Sequence, residues 1–311
     1  MLDSISKSFF HMLASSGSLK SMASRYGMRQ PGSFARRFIA GETVDEALPA
    51  ARELQSRGLL LTLDQLGESV ASAADAAAAT RTYLDVIDKV EQSGIERNLS
   101  LKLTQLGLGV DRATCVDNLR RILERAQAGG FFVRIDMEDS PVVPVTLDIF
   151  ETVWGLGLRQ VGVVLQSCLH RSEDDLARVN KIGARVRLVK GAYKEPSSVA
   201  YQRMSDVDAA YVRMMKTLLA EGQYPAIATH DEQIIAATKA FAAEKGIARD
   251  AFEFQMLFGI RRDLQAALVG EGYRVRVYVP FGHEWFPYFM RRLGERPANV
   301  GFVLRGILSE R

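Results

Sequence analysis

Four polar side chains recur at helical spacing near the carboxyl end of the chain. Tyr288, Arg291, Arg292 and Glu295 occupy positions i, i+3, i+4 and i+7, the spacing that usually builds the apolar stripe of a helix. Pro287 suits the first turn of such a helix, because it has no amide hydrogen to leave unsatisfied there. Two guanidinium groups on one face can bind a carboxylate, and an acid one turn on can hold one of them in place. The pattern predicts a helix that faces an anionic ligand, and its alternative is a solvated face with surface ion pairs.

Polar residues also stand near the ends of strand-like apolar runs. The run RVRVYVP, residues 274–280, brings Tyr278 close to the predicted helix. Corresponding places in other runs are held by Lys102, Asp136, Glu138, Asp139, Gln166, Arg187, Lys190, Thr229, His230, Glu253 and Gln255. Because an unpaired buried charge is costly, such a set implies either mutual ion pairs or a charged ligand.

The runs that carry these residues predict the fold class. They span 59–66, 99–106, 131–138, 161–167, 185–192, 225–230, 252–257 and 274–280, with helical patterns between them. Eight strands alternating with helices indicate an α/β protein, a (β/α)8 TIM barrel, more than an open doubly wound sheet. In such barrels the active site lies at the carboxyl ends of the strands, which is where most of the polar residues fall.

The segment before the first strand is predicted to be helical. Thr43 followed by Glu46 forms a capping-box pattern for a helix that runs to about Gln55. We therefore expect residues 1–57 to form an N-terminal helical appendage and residues 58–311 to form the catalytic barrel, within a single domain overall.

Composition narrows the function classes. The chain is 47% hydrophobic and has a formal net charge of +3, and its basic residues are dispersed, so nucleic-acid binding is not predicted. Two cysteines, Cys115 and Cys168, make neither a disulfide framework nor a zinc site. The chain has no GxGxxG or phosphate-loop motif, and His283 with Glu284 does not continue to HExxH, so no metal site is predicted.

Lys190 and Gly191 form a second candidate contact with a ligand. A glycine lets backbone approach a ligand closely, and the neighbouring lysine could meet a phosphate or a carboxylate. A lysine at a barrel strand end could instead form a Schiff base, which would make the protein a lyase or an aldolase.

Five segments in sequence order carry a resemblance to a known family. RVRLVKGAY, YPAIATH, FEFQML, RVRVYVPFG and YFMRRLGE resemble the proline dehydrogenases in their short monofunctional bacterial form. The resemblance implies a distorted barrel that binds FAD, with N-terminal helices and a final helix over the barrel mouth. It also implies the first step of proline catabolism, oxidation of L-proline to Δ1-pyrroline-5-carboxylate by hydride transfer from proline C5 to flavin N5.

The resemblance assigns roles to individual positions. Asp136 and Arg187 match the catalytic pair of the family. The substrate-binding positions match Lys102, Leu257, Tyr278, Tyr288, Arg291 and Arg292, with Glu295 as the acid that steadies the arginines. The flavin-binding positions match Met137, Gln166, Arg187, Lys190, Gly191, Ala192, Thr229, His230 and Gln255. Two positions depart from the family, which often has Trp in place of Lys194 and Asn in place of Asp231; both departures concern flavin contacts.

The resemblance also implies partners. A membrane quinone would reoxidise the flavin, so we expect a cytoplasmic protein in peripheral contact with the inner membrane. A separate pyrroline-5-carboxylate dehydrogenase would act downstream. Taken without the resemblance, the residues leave open a Schiff-base enzyme and a barrel that binds an amino acid or flavin without turnover.

Overall fold

Eight parallel strands form a closed barrel in which the last strand returns to pair with the first. The computed structural model describes residues 33–294. The strands are β1 (Leu60–Gln65), β2 (Asn98–Leu101), β3 (Phe132–Ile135), β4 (Val161–Gln166), β5 (Arg185–Val189), β6 (Ala226–Ala228), β7 (Glu253–Leu257) and β8 (Arg274–Phe281). The (β/α)8 barrel predicted from the spacing of the apolar runs is confirmed, and pairing of β8 with β1 excludes the open sheet.

Helices alternate with these strands throughout the described range. They are α1 (Val44–Ser56), α2 (Ala73–Ser93), α3 (Arg112–Ala128), α4 (Val143–Gly155), α5 (Ser172–Lys181), α6 (Met204–Glu221), α7 (Glu232–Glu244), α8 (Arg262–Gly270) and α9 (Trp285–Gly294). Helix α1 precedes the barrel, α2 to α8 connect successive strands, and α9 follows β8. Short 3-10 helices cover Phe34–Arg37, Thr104–Leu106 and Ser140–Val142. Between residues 33 and 294 no helix is long and apolar enough to cross a lipid bilayer.

Local sequence sets where several helices begin. Thr43 Oγ1 accepts a hydrogen bond from the Glu46 amide at 3.3 Å, which confirms the predicted start of α1. Ser72 caps α2 and Asp111 caps α3 through equivalent bonds of 3.1 Å and 2.7 Å. These caps satisfy amide groups that the first helical turn leaves without a partner.

The barrel interior is polar, whereas the layer between strands and helices is apolar. Successive strand residues point to opposite faces, so Leu61 and Leu63 join the apolar layer while Thr62 and Asp64 face inward. The amino-terminal half of the interior holds a buried ion cluster in which Arg276 donates to Glu253 at 2.7 Å and 3.0 Å, and to Glu96 at 2.6 Å. Mutual pairing therefore accounts for part of the buried charge that the sequence places in the strands.

Two predictions about strand ends are wrong. The second run, 99–106, was expected to be one strand, but β2 ends at Leu101 and a 3-10 turn follows. Gly107 closes that turn in the left-handed region, with φ of 99°. Glu253 begins β7 instead of ending it, so it lies in the ion cluster and not at the barrel mouth.

The final helix is held by the segment that precedes α1. One apolar cluster contains Ala35, Phe38, Ile39, Leu66, Trp285, Phe286, Tyr288, Phe289 and Met290, with Ile260 and Tyr278 against it. Because Leu66 follows β1 and Tyr278 lies in β8, the cluster places α9 at the carboxyl ends of these strands. The predicted final helix over the barrel mouth is confirmed.

Candidate active site

Asp136 is the centre of a hydrogen-bond network at the barrel mouth. It follows β3, and its side chain is buried. Oδ1 accepts a hydrogen bond from Arg187 Nη1 at 2.6 Å, and Oδ2 accepts one from the Tyr278 hydroxyl at 2.8 Å. Lys102 Nζ lies 3.4 Å from Oδ2. Four residues that the sequence singled out, from four different strands or strand ends, therefore meet at one carboxylate.

Arg187 keeps one donor for a ligand. Its Nη2 donates to Ser100 Oγ at 3.0 Å, and its guanidinium lies over the Tyr278 ring at 5.4 Å. Its Nε is buried and makes no hydrogen bond to any described residue. A buried N–H without an acceptor is costly, so this atom marks a place where a bound group would supply one.

Lys102 lies between two carboxylates. Its ammonium is 3.5 Å from Asp64 and 3.4 Å from Asp136. Burial opposes its charge, but the attraction of Asp64, Asp136 and Glu68 outweighs burial and holds the Lys102 pKa well above its usual value. The lysine is therefore a permanent cation, suited to binding a carboxylate and unsuited to acting as a base.

Arg291 of α9 reaches back across the mouth to the segment after β1. Its Nη2 donates to Glu68 Oε1 at 2.9 Å. Tyr193, which follows β5, lies close enough for Glu68, Lys102 and Arg291 to influence its hydroxyl, and burial raises the Tyr193 pKa well above its usual value. The phenol consequently stays neutral and can donate a hydrogen bond.

The rest of the predicted substrate set lies on α9 and at the end of β7. The Arg292 guanidinium lies over the Tyr288 ring at 5.0 Å, and Tyr288 is buried. Leu257 ends β7, where the register pairs it with Tyr278. Glu295, the acid expected to steady the arginines, lies outside the described residues. Glu68 makes that contact with Arg291 here.

A second group of predicted residues follows strands β4 to β7. Gln166 donates to the Glu138 carbonyl at 2.8 Å, and Glu138 also accepts a bond from the Thr104 amide at 3.2 Å. Gly191 adopts φ of 115° next to Cys168, where a β-carbon would approach the sulfur to 2.4 Å. No larger residue fits this conformation and this space, so the exposed backbone of Gly191 and Ala192 remains open to a ligand.

The ammonium group of Lys190 forms ion pairs with two carboxylates. Its ammonium lies 2.6 Å from Asp208 and 2.8 Å from Asp231. Burial lowers its pKa, but the hydrogen bonds to Asp208 and Asp231 outweigh burial and raise it. A Schiff-base lysine needs a depressed pKa, so the pairing argues against that reading.

The remaining flavin candidates have partners that fix their orientation. His230 Nε2 accepts a hydrogen bond from the Leu257 amide at 3.0 Å, so this nitrogen carries no proton. Thr229 Oγ1 accepts one from the Asp231 amide at 3.0 Å. Gln255 donates a hydrogen bond to Glu253, and this bond links the barrel mouth to the buried ion cluster. Met137, which follows Asp136 in the sequence, is buried.

These positions suit a flavin. Gln166, Lys190, Thr229 and Gln255 come from adjacent strands, so they form one arc of polar groups at the mouth. Arg187, on one of those strands, supplies the unused buried Nε. A flat, polar ring system edged with nitrogen and oxygen acceptors would satisfy that donor and lie along the arc.

The sequence analysis missed three residues that the structure brings to the mouth: Asp64, Glu68 and Tyr193. Asp64 stands at the end of the first apolar run, so the rule that selected polar residues at the other strand ends would have found it. Tyr193 directly follows the recognised KGA segment. Glu68 lies in a loop whose path no strand pattern predicts, so only its contact with Arg291 reveals it.

The fold and this site define a class of protein. A closed (β/α)8 barrel that gathers cations after β2 and on α9 near a buried Asp–Arg pair, at the carboxyl ends of its strands, has the architecture of a barrel enzyme.

Comparison with known proteins identifies the family. The family model described as proline dehydrogenase matches residues 47–305. Proline dehydrogenase 2 of Bacillus subtilis is 42% identical over 98% of this chain and 100% of its own length. Proline dehydrogenase of Deinococcus radiodurans is 44% identical over 88% of this chain and 90% of its own length. The chain belongs to the proline dehydrogenase family of flavin-dependent oxidoreductases, as the resemblance implied.

A solved structure supports the same relation. Proline utilization A (PutA) from Bdellovibrio bacteriovorus, in a crystal structure of the protein inactivated by N-propargylglycine, superposes with a TM-score of 0.78 at 29% identity. The match covers 83% of this chain and 32% of that longer chain. The similarity therefore concerns one part of the larger protein.

Proposed function

We propose that this protein oxidises L-proline to Δ1-pyrroline-5-carboxylate with FAD as its cofactor, in proline catabolism. The observation that carries the proposal is the meeting of Lys102, Tyr278 and the Arg187–Asp136 pair at one end of the barrel, with Arg291 beside them. A carboxylate-binding set thus lies next to a buried donor that a flavin would satisfy.

Substrate recognition rests on charge and shape. Lys102, Arg291 and Arg292 would bind the proline carboxylate, while Tyr278, Tyr288 and Leu257 would wall the pyrrolidine ring. Because Arg291 is paired with Glu68 at 2.9 Å, binding would exchange one carboxylate for another without leaving the guanidinium unpaired. The exchange offsets most of the desolvation cost of the arginine.

The cofactor would be held by the arc of residues in and after β4 to β7, together with Met137 after β3. Met137, Gln166, Lys190, Gly191, Ala192, Thr229, His230 and Gln255 would contact FAD, and Arg187 Nε would donate a hydrogen bond to it. Bound FAD would accept the hydride from proline C5 at its N5. Asp136 would hold Arg187 and Tyr278 in place for that transfer, since it accepts hydrogen bonds from both.

Two other readings are less well supported. A Schiff-base lyase would require Lys190 as a nucleophile, and its two carboxylate partners keep it protonated. A binding protein without turnover could use the same groups, but the family to which the chain belongs consists of flavin-dependent oxidoreductases. Both readings predict that proline leaves the flavin oxidised.

We further propose a membrane quinone as the electron acceptor and a separate pyrroline-5-carboxylate dehydrogenase as the downstream enzyme. Peripheral contact with the inner membrane from the cytoplasm would bring the reduced flavin to the quinone. Single-turnover mixing of the proline-reduced protein with a soluble quinone analogue tests the acceptor, and unchanged reduced flavin would contradict it.

An anaerobic titration with L-proline tests the central proposal. We expect the visible absorption band of the FAD-loaded protein to bleach as proline is added, and D-proline serves as the control for specific binding. A yellow protein that proline does not bleach would contradict proline as the substrate. A protein that remains colourless after addition of FAD would contradict the cofactor.

Because the Bdellovibrio protein is inactivated by N-propargylglycine, we expect the same compound to inactivate this chain. Time-dependent loss of bleaching, with protection by L-proline, would support a shared amine site. Inactivation at the same rate in saturating proline would place the reaction elsewhere.

A further inference from the structure

The guanidinium of Arg187 is held at two separate nitrogens. Nη1 donates a hydrogen bond to Asp136 Oδ1 at 2.6 Å, and Nη2 donates one to Ser100 Oγ at 3.0 Å. Ser100 lies on β2, which is not a neighbour of β5 in the closed sheet, so Arg187 reaches it across the barrel interior. The proposed mechanism uses Asp136 and gives Ser100 no role.

Ser100 has a second partner that fixes its hydroxyl group. Because its oxygen accepts a hydrogen bond from the arginine, its own hydrogen must be donated to another group. Thr62 Oγ1, on the adjacent strand β1, lies 3.3 Å from Ser100 Oγ, and both side chains are fully buried. The three residues therefore form a chain in which Arg187 donates to Ser100 and Ser100 donates to Thr62.

Asp136 by itself does not fix the orientation of the guanidinium. A group held by one bond can turn about that bond, and Asp136 also accepts a hydrogen bond from Tyr278. The buried Arg134 on β3 lies near enough for its charge and that of Arg187 to repel each other. Ser100 supplies a second point of attachment, and because it is neutral it does not compete with Asp136 for the cation.

We propose that Ser100, supported by Thr62, is a positioning residue that orients Arg187 toward bound FAD and thereby helps to set the reduction potential of the flavin. The inference rests on the proposed function, because it takes FAD to lie against Arg187. A hydride adds two electrons and one proton to the flavin ring, so the ring gains one negative charge. A cation held beside the ring stabilises that charge and raises the potential. Arg187 Nε, the buried donor without an acceptor among the described residues, is the group that this orientation presents.

The midpoint potential of the FAD-loaded protein tests the proposal. Equilibration with a reference dye during slow enzymatic reduction by xanthine oxidase measures it without proline. In Ser100→Ala the arginine loses its second attachment, and we expect the affinity for reduced FAD to fall about tenfold relative to the affinity for oxidised FAD. For a two-electron couple this fall lowers the midpoint potential by about 30 mV.

Thr62→Val tests the supporting residue, because it keeps the shape of the side chain and removes the hydroxyl group. We expect a smaller fall in potential than in Ser100→Ala, and no further fall when the two changes are combined, since Thr62 acts only through Ser100. Thr238→Val is the matched control. Thr238 is also fully buried, but it lies on α7 and donates to the Ile234 carbonyl of the same helix at 2.7 Å, so this variant should keep the wild-type potential.

An unchanged potential in Ser100→Ala would overturn the proposal, as would an equal fall in Thr238→Val. Additive falls in the double variant would overturn the supporting role of Thr62. If Ser100→Ala does not fold, Thr62→Val decides: a lower potential supports the proposal and the wild-type value overturns it. The proposed function is tested separately, because bleaching of the wild-type flavin by L-proline leaves it intact whatever potentials the variants have.

Discussion

Arg291 is the side chain through which we propose that the final helix binds the substrate carboxylate. Its pairing with Glu68 shows that the mouth already accommodates a carboxylate against this guanidinium. In Arg291→Ala the proline carboxylate would lose a charge-assisted contact, which is typically about 1.5–3 kcal/mol and thus about 10- to 150-fold in affinity. We expect a rise of this size in the KM for proline, with an unchanged flavin content, measured by steady-state kinetics and by absorbance.

Arg213→Ala is the matched control for this prediction. Arg213 lies on α6 and pairs with Glu173 on the protein surface, so its removal should change neither KM nor flavin content. Equal KM values for Arg291→Ala and the wild type would refute the assignment of Arg291 to the substrate carboxylate.

Individual residues were predicted well where a strand end or a helical spacing located them. Lys102, Asp136, Arg187 and Tyr278 were selected for their places near strand ends, and the structure brings them into one network. The partners of these residues were harder to find, because a side-chain pair such as Arg291–Glu68 joins positions 223 residues apart. Their roles toward proline and flavin stay predictions.

Among the elements, β4 contains a glycine, Gly162, at a position with a tight steric limit. Gly162 faces the interior, and a β-carbon there would lie 2.5 Å from the Arg185 carbonyl oxygen, 2.6 Å from Arg134 Nη1 and 2.8 Å from the Phe132 ring. The carbonyl belongs to the neighbouring strand β5 and cannot move without breaking the barrel register. The glycine therefore makes room for the Arg134 guanidinium inside the barrel.

Gly162→Ala should destabilise the protein by overpacking. Insertion of a methyl group into a closely packed core typically costs about 1–3 kcal/mol. We expect a lower denaturant midpoint, followed by circular dichroism. Gly155→Ala is the control, because no atom lies within 4 Å of a β-carbon at that end of α4. A helical Gly→Ala change there should raise the midpoint slightly. A Gly162 variant as stable as the wild type would refute the steric account.

The elements themselves were largely predictable from the sequence, but their ends were not. Each of the eight predicted runs overlaps a strand, because β-branched and apolar residues between turn signals specify extended chain. The run 99–106 continued in the same apolar pattern through Leu103 and Leu106, which bury equally well in the 3-10 turn. Glu253 was predicted at the wrong end of β7 because it shares a strand face with Gln255 and Leu257. Alternation along a strand shows which face a residue occupies, but not how far along the barrel axis it lies.

At the scale of the whole molecule, the site is assembled from two parts that are anchored differently. The flavin candidates lie in or just after β3 to β7 and are fixed by the barrel itself. Tyr288, Arg291 and Arg292 belong to α9, whose apolar face packs on the segment before α1. Phe38 and Phe289 lie 6.2 Å apart between ring centroids, and Trp285 donates to Glu42 at 3.1 Å. Docking of α9 therefore depends on residues far from the proposed chemistry.

Because α9 is held by the segment before α1, weakening that contact should reduce the affinity for proline more than the affinity for flavin. Phe38 is 1% exposed, and Phe38→Ala would remove an aromatic side chain whose loss from a core typically costs about 3–5 kcal/mol. We expect α9 to detach while the closed barrel stays intact, so part of that cost should appear as a reduced docked fraction. The KM for proline rises as the inverse of that fraction, and we expect about a tenfold increase, measured by proline-dependent flavin bleaching.

Phe252→Ala is the control: Phe252 is 0% exposed and packs with Phe254 and Tyr273 next to the start of β7, so its loss should lower thermal stability without changing KM. If Phe38→Ala loses flavin in parallel with proline affinity, the two parts of the site unfold together and α9 is not a separately anchored element.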